Sequence, residues 1–380
     1  MAILRYSSSE CCCPKMDPRK PETTTRVPVR QRYTVQNPAE AQNNASSIRV
    51  IRASDQATYL ATKIPDVVTA DLAGEPTRTT LADVILPVAA VPLSLILNHP
   101  HLVSLVDIVR DSSSVTIWED MDGGSLSYLL PSASTYPPFH DAATWHSLAS
   151  QNSRRPALPE GLCWHVLRSI SRALLWLHHG VKETAGVPGA WMRHDDDWHA
   201  ILIMDVSPGQ IWFKQPVADE SFGECKLGGF QWARVAGTVG ATVALAQRIE
   251  NAPLEKQYFF SPELYMNTNS HSRASEIWSL GATIYTMMTG IPPPRHYDYA
   301  WQVSRMNDAG YSQTLRDIIA DMLKHHPADR PTSISLVSRV DDQWRRWRAT
   351  TKEGAHVVDI SDEHVRRAAL GVSNGALVMS

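Results

Sequence analysis

The chain predicts an α+β protein, a smaller β-rich half followed by a larger helical half. Three observations carry that prediction. Short β-like runs fill residues 31–121, notably Ser47–Arg52 and Thr58–Ile64. Leu162–His178 places Cys163, Val166, Leu167, Ile170, Ala173, Leu174 and Leu177 at helical spacing on one face. Residues 276–288 (EIWSLGATIYTMM) are apolar nearly all round, the pattern of a helix inside a domain.

The remaining elements follow in order. Residues 1–30 are rich in Ser, Thr, Pro and charge, and read as a disordered leader. Val84–Leu97 is apolar but broken by Pro87 and Pro92, so it cannot form one regular helix. Residues 131–160, rich in Ser, Pro, His and Ala, read as a long loop. A second polar insertion, 181–199, precedes an apolar strand at Ala200–Met204. Gly290 and the prolines at 292–294 stop the central helix. The expected organisation is a leader over 1–30, a domain over 31–348 dividing near 121/122, and a tail over 349–380. No internal repeat is present.

Composition excludes several classes. The 380 residues are 43% hydrophobic and 20% charged, ordinary for a globular protein with a sizeable core. A net charge of −3 gives no electrostatic reason to expect nucleic acid or a membrane surface. No apolar run approaches a membrane span, and the N-terminus lacks the hydrophobic region of a signal peptide. The expected location is intracellular, cytoplasmic or nuclear. Cys11–Cys13 could be acylated or belong to a bland polar tail, whereas Cys163 and Cys225 read as buried, reduced thiols.

Several segments, in order across residues 63–331, resemble protein kinases of the serine/threonine type. Tyr59-Leu60-Ala61-Thr62-Lys63 resembles the strand whose lysine reaches the ATP phosphates. Asn98-His99-Pro100-His101-Leu102-Val103 is similar to the turn after the regulatory helix of the small lobe. Trp118–Leu126 resembles the hinge, where backbone groups of Glu119 and Met121 would face an adenine. Leu177-His178-His179-Gly180 is similar to the end of the helix that leads to the catalytic loop. That loop is Ile203–Gln210, with Asp205 in the place of the base that accepts the substrate proton. LGGFQWAR (227–234) resembles the start of the activation segment, and Ser261-Pro262-Glu263 its end. Asp329-Arg330-Pro331 supplies the arginine that the resemblance pairs with Glu263, and either charge buried alone would be costly. Glu276, at the head of the apolar helix, joins Glu263 and Arg330 as a structural residue. The resemblance implies a two-lobed protein kinase-like fold.

The same positions imply weakened chemistry. Gly229-Phe230-Gln231 stands where Asp-Phe-Gly would hold Mg²⁺, and glycine offers that hard cation no side-chain oxygen. Glu224, five residues upstream on a strand, faces the other side roughly 16 Å away and cannot substitute. Residues 1–73 contain no glycine, so no glycine-rich loop precedes Lys63. The place of the glutamate that orders this lysine falls on Ala90, and Asp83 is the only acid in 76–98. Ser207 replaces the lysine that would steady the transferring phosphate. Gln210 replaces a metal-binding asparagine, Met204 an arginine and Ile203 a histidine. Lys63, Glu119, Met121 and Gln210 therefore outline a vestigial nucleotide pocket, and Asp205 a vestigial base.

Alternatives remain at several positions. Lys63 is a phosphate contact or a strand-end surface lysine, and Asp205 a base or a turn-stabilising acceptor. Trp118 fills the back of an adenine pocket or packs the core. His194-Asp195-Asp196-Asp197 with His199 is a metal site or a solvated loop. Thr238 and Thr242 lie in the activation segment, where Met204 offers a phosphate no arginine. Arg339, Arg345, Arg346 and Arg348 with Trp344 and Trp347 form a helix that engages a partner or packs its tryptophans on the domain. The expected function is a catalytically impaired kinase-like scaffold or allosteric regulator in signalling, binding protein partners such as an active kinase or its substrate. ATP is left open as a ligand, and Mg²⁺ is not expected. The alternatives are a divergent low-activity serine/threonine kinase or a metal-independent nucleotide-sensing switch.

Overall fold

The computed structural model describes residues 3–4, 32–36, 47–63, 67–70, 76–79, 97–110, 114–136, 158–184, 189–230, 233–236, 243–244, 252–265, 270–293, 299–308 and 310–359. Most of the 1–30 leader, Cys11–Cys13, Asp83, Ala90, nearly all of Val84–Leu97, residues 137–157, Gln231, Thr238 and Thr242 lie outside them. The chain forms two compact units, one holding residues 2–80 and 104–120, the other 81–103 and 121–380.

The smaller unit is a five-stranded antiparallel sheet. Its strands are β1 (Tyr33–Val35), β2 (Ser47–Arg52), β3 (Thr58–Lys63), β4 (Leu105–Arg110) and β5 (Ser114–Glu119), in the order β1-β2-β3-β5-β4. Side chains alternate between faces along a strand. Ala61 lies opposite both Ile48 and Ile117, and Val50 opposite Tyr59. Val50, Ala61 and Ile117 are the buried centre, with Tyr33, Ile48, Tyr59, Val106 and Val115 packed on them. Arg32 and Tyr33 both reach the Asp107 carboxylate, at 2.8 and 3.2 Å, tying β1 to β4 across the sheet.

The larger unit is helical. Helix α1 (Glu160–His179) ends at Gly180, whose φ of 62° is the left-handed conformation that glycine adopts without penalty. Trp198 packs on that turn so closely that a Cβ at 180 would stand 2.5 Å from the indole. The helix is buried on nearly every side, more than the single apolar face read from the sequence: Ser169, Ser171, Arg172 and His178 are buried too. After the four-residue α2 (Leu254–Gln257) comes α3 (Arg273–Thr289). A reciprocal Ser272–Ser275 capping box starts α3, Gly290 at φ 72° ends it, and every residue from Ser275 to Thr289 is buried. Helices α4 (Tyr299–Asp308), α5 (Gln313–Met322), α6 (Ser333–Thr350) and α7 (Lys352–His356) complete the unit.

Two expectations are corrected. The stretch 181–199 is more than a polar loop: Val181–Glu183 pairs with Trp191–Arg193 as an antiparallel hairpin. Val181 and Trp191 bury against Leu175 and Val337, and that burial is what fixes the hairpin. The chain also stays packed past residue 348, where a tail was expected. Val357 and Asp359 are buried, and Asp359 forms an ion pair with Arg168 of α1. On α6, Trp344 and Trp347 stack at 5.2 Å and meet Trp164 of α1, while Arg345 and Arg346 face solvent. This is the packing reading of that helix. Among the described residues no helix is long and apolar enough to cross a membrane. The structure is the protein kinase-like α+β fold, with a β-rich N-terminal lobe and a helical C-terminal lobe.

Burial of histidines makes this fold sensitive to acid. His99 stacks on Trp176, and the ring nitrogens of His101 and His165 lie 3.3 and 2.9 Å from the carbonyls of Cys225 and Gly223. Burial pushes His101 down to about 3 and His179 to about 4, and lowers His99 and His165. These rings stay neutral in the fold, while the unfolded chain protonates them near pH 6.5. The unfolded state therefore binds more protons as pH falls below 6.5, and stability drops with it. Urea midpoints measured from pH 7 to pH 4.5 should fall steadily; a flat profile would contradict this account.

Candidate functional site

The loop 203–210 is built from buried side chains and polar ties to the helical core. Ile203 is fully buried and Met204 nearly so. Met204 takes φ 65°, a conformation that costs an ordinary residue roughly 1–2 kcal/mol. Its N–H donates to Glu276 Oε1 at 2.9 Å, which offsets that cost. The Thr283 hydroxyl donates to the Val206 carbonyl at 2.9 Å, adding a second tie to α3. The loop closes with a single 3-10 turn, Pro208–Gln210.

Glu276 gathers more than this loop. Its Oε2 lies 2.8 Å from Nε2 of His178, at the end of α1, and its Oε1 3.4 Å from Nε2 of His271. Burial alone would raise the carboxyl, but the hydrogen bonds to His178 and His271 outweigh it and hold Glu276 at about 2. It is thus a buried carboxylate at neutral pH. His178 lies 98 positions from Glu276, and although His271 is close in the chain, no local pattern marks either ring as its partner.

Asp205 is buried, and both its oxygens are engaged. Oδ1 accepts the Ser207 N–H at 3.3 Å, the turn-stabilising contact weighed above. Oδ2 lies 3.0 Å from the Lys256 ammonium, contributed by α2. Sequence reasoning missed Lys256: it lies 51 positions downstream, and nothing in Leu254-Glu255-Lys256-Gln257 signals a long-range partner.

The two positions where the resemblance would place metal ligands, 210 and 229, lie against each other. Strands β6 (Gly124–Ser125), β7 (Ile211–Phe213) and β8 (Cys225–Leu227) form a small sheet in the order β8-β7-β6. It sets Gln210 beside Gly228 and Gly229, and the Gly228 N–H donates to the Gln210 carbonyl at 2.8 Å. Gly229 has φ 85°. A Cβ there would stand 2.7 Å from Gln210 Oε1 and 2.9 Å from its Cδ. The Gln210 amide lies over Gly229, and a side chain at 229 would have to displace it. Glu224, upstream, lies 3.0 Å from Lys226 and 3.8 Å from Lys214. Among the described residues no group of three or more His, Cys, Asp or Glu is placed to hold a metal ion. Asp195–Asp197 are exposed, while His194 packs edge-on to Trp176 and Trp198.

The other expected residues sit as follows. The Lys63 backbone pairs with Val115 at the end of β3, and its side chain is outside the description. Trp118 is half-buried, its indole N–H donating to the Thr116 hydroxyl at 2.8 Å. The Glu119 N–H donates to Ser104, whose own N–H donates to the Glu119 carboxylate. In the larger unit, Met121 is buried and its carbonyl accepts the Gly124 N–H at 3.0 Å. Arg330 grips Glu263 with two parallel bonds of 2.7 and 2.8 Å and also donates to the carbonyls of Ala274, Lys324 and His325. Burial opposes ionisation of Glu263, but Arg330 keeps it below the usual carboxylate range.

No protein-family model matches the chain. The curated proteins it resembles are serine/threonine protein kinases. ATG1 of Beauveria bassiana is 27% identical over 256 residues, covering 62% of this chain and 26% of the relative. The Schizosaccharomyces pombe atg1 is 23% identical over 287 residues, covering 70% and 31%. Nek2 of Mus musculus is 25% identical over 247 residues, covering 62% and 45%. The chain spans less than half the length of each of these relatives. It is a protein kinase-like protein with serine/threonine-kinase homologues.

Glu276 gives the site its sharpest mechanical test. Glu276→Ala would leave the Met204 N–H and both histidines without their acceptor, at a cost of about 3–5 kcal/mol. Glu276→Gln keeps an oxygen for Met204 and should lose less. Urea unfolding of the two variants checks this; Glu276→Gln as stable as the wild type would show that shape, and not the carboxylate charge, is what the position requires.

Proposed function

We propose that this chain is a catalytically impaired kinase-like protein, a scaffold or allosteric regulator of protein partners such as an active kinase or its substrate. The observation that carries the reading is the Gln210 amide lying over Gly229. Mg²⁺ needs hard oxygen ligands in near-octahedral array. Position 229 has none, and the neighbouring side chain occupies the space an aspartate would need. Ser207 supplies no ammonium for a transferring phosphate, and the absence of glycine from residues 1–73 leaves no glycine-rich loop ahead of Lys63. Phosphoryl transfer rests almost wholly on positioning and charge neutralisation, so these losses compound.

The competing reading, a low-activity kinase, draws on the retained Asp205. Thermal unfolding with millimolar ATP, with and without Mg²⁺, separates the two, because a ligand raises stability by RT ln(1 + [L]/Kd). No Mg²⁺-dependent rise is expected. A rise that requires Mg²⁺, together with phosphate transfer, would overturn the proposal.

The packing also predicts how the site responds to repair. Gly229→Asp alone should lower stability by roughly 1–2 kcal/mol, the cost of its left-handed backbone, with a small further loss as its Cβ displaces the end of the Gln210 side chain. It should gain no Mg²⁺-dependent shift with ATP. Adding Gln210→Asn shortens the obstructing side chain by one methylene, and the double variant should recover stability relative to Gly229→Asp. The same melting experiment reads both effects; a single variant as stable as the wild type would contradict the packing.

A further inference from the structure

Asp205 is the one residue of the loop that matches a catalytic role, and its carboxylate is already engaged within the chain. Its side chain is 2% exposed and that of Lys256 16%. A Lys–Asp pair at 3.0 Å with so little solvent is poorly screened. Removing either partner would leave the other charge short of compensation.

The segment bearing Lys256 is organised on its own account. The Gln257 side chain donates to the Ala252 carbonyl at 2.7 Å, and the Tyr265 hydroxyl donates to the Gln257 carbonyl. Phe260 and Leu264 form a buried cluster with Ala252 and Tyr265 packed against it, and Tyr258 meets Tyr136 edge-on at 5.1 Å. Lys256 projects from this compact piece onto the loop.

We propose that the Asp205–Lys256 pair is an intramolecular clasp. Lys256 seats its ammonium where an acceptor hydroxyl would present its proton, and the carboxylate anchors the 252–265 segment in place of a bound substrate. The clasp rests on the reading of the chain as one that does not transfer phosphate. It gives the retained aspartate a use under that reading: holding the 252–265 segment against the loop and withholding the carboxylate from outside hydroxyls.

Amide hydrogen exchange on the full chain tests it, comparing wild type with Lys256→Met, Lys256→Arg, Asp205→Asn and the Asp205→Asn/Lys256→Met double variant. Lys256→Met should speed exchange across 252–265 by about tenfold, local opening being what the pair resists. Lys256→Arg should stay near wild type. The double variant should be no faster than the faster single one, because both changes break the same contact. Unchanged exchange in Lys256→Met, or a rise no larger there than across α1 and α3, overturns the clasp. Phosphate transfer from Mg²⁺–ATP to casein is measured in parallel on the wild type. Transfer with the expected exchange pattern overturns the non-catalytic reading and with it the withholding role of the clasp, while the Asp205–Lys256 contact itself stands. Unchanged exchange without transfer overturns the clasp and leaves that reading standing.

Discussion

The buried carboxylate of Glu276 is the constraint on which the helical lobe depends. Taking a charge out of water is expensive unless hydrogen bonds replace the lost hydration. Glu276 finds them in the Met204 N–H and His178, with His271 3.4 Å away. Those groups come from the loop, from the end of α1 and from the strand residue just ahead of α3. One side chain therefore sets where three separate pieces of chain stop. The left-handed Met204 follows from this: its backbone is held in a costly conformation because the carboxylate reaches it there. The loop's position is thus a property of the core, and it would persist whether or not any substrate ever bound.

The same distinction separates the charges that are paired from the groups that are absent. Glu263 and Arg330 are held by two bonds and a set of carbonyls, so removing either exposes the other to a large penalty. Groups that would touch only nucleotide or metal carry no such penalty, and their replacement costs the fold little. Ser207 and Gly229 are replacements of this kind. Gln210 goes further, because its longer side chain lies over the space beside Gly229. The two metal-site replacements are sterically coupled: a larger residue at one is accommodated by a glycine at the other.

Much of the frame was legible in the sequence. The apolar periodicity of 162–178 marked α1, the all-round apolar run 276–288 marked α3, and Gly290 marked the end of the second. The β-like run Thr58–Ile64 marked β3 to within a residue. The segments Ser261-Pro262-Glu263 and Asp329-Arg330-Pro331 suggested a pair that the structure brings to 2.7 Å. The hairpin within 181–199 was not legible, because its two strands are three residues each and owe their order to Trp191 burying on α1 and α6. The packing of 351–359, inside the expected 349–380 tail, is hidden for a similar reason: polar Lys352, Glu353 and His356 mask the contacts of Val357 and Asp359. The partnerships of Lys256, His178 and His271 escaped because local pattern encodes the element a residue belongs to, and says nothing of its partner across the fold.

This last gap bears on how a single retained residue is weighed. An aspartate in the loop's third position invites a catalytic reading, since that is the role the resemblance attaches to it. Yet the position asks for an aspartate on two grounds that involve no substrate. A short carboxylate two residues ahead of Ser207 caps its N–H, which favours Asp over the longer Glu. A half-buried ammonium at 3.0 Å favours a negative partner, which disfavours Asn. Turn geometry and charge together thus specify the residue type without any chemistry. Retention of Asp205 then has a sufficient physical cause in the fold, and the weight of the functional question passes to Gly229 and Gln210, where no comparable structural demand calls for a metal ligand.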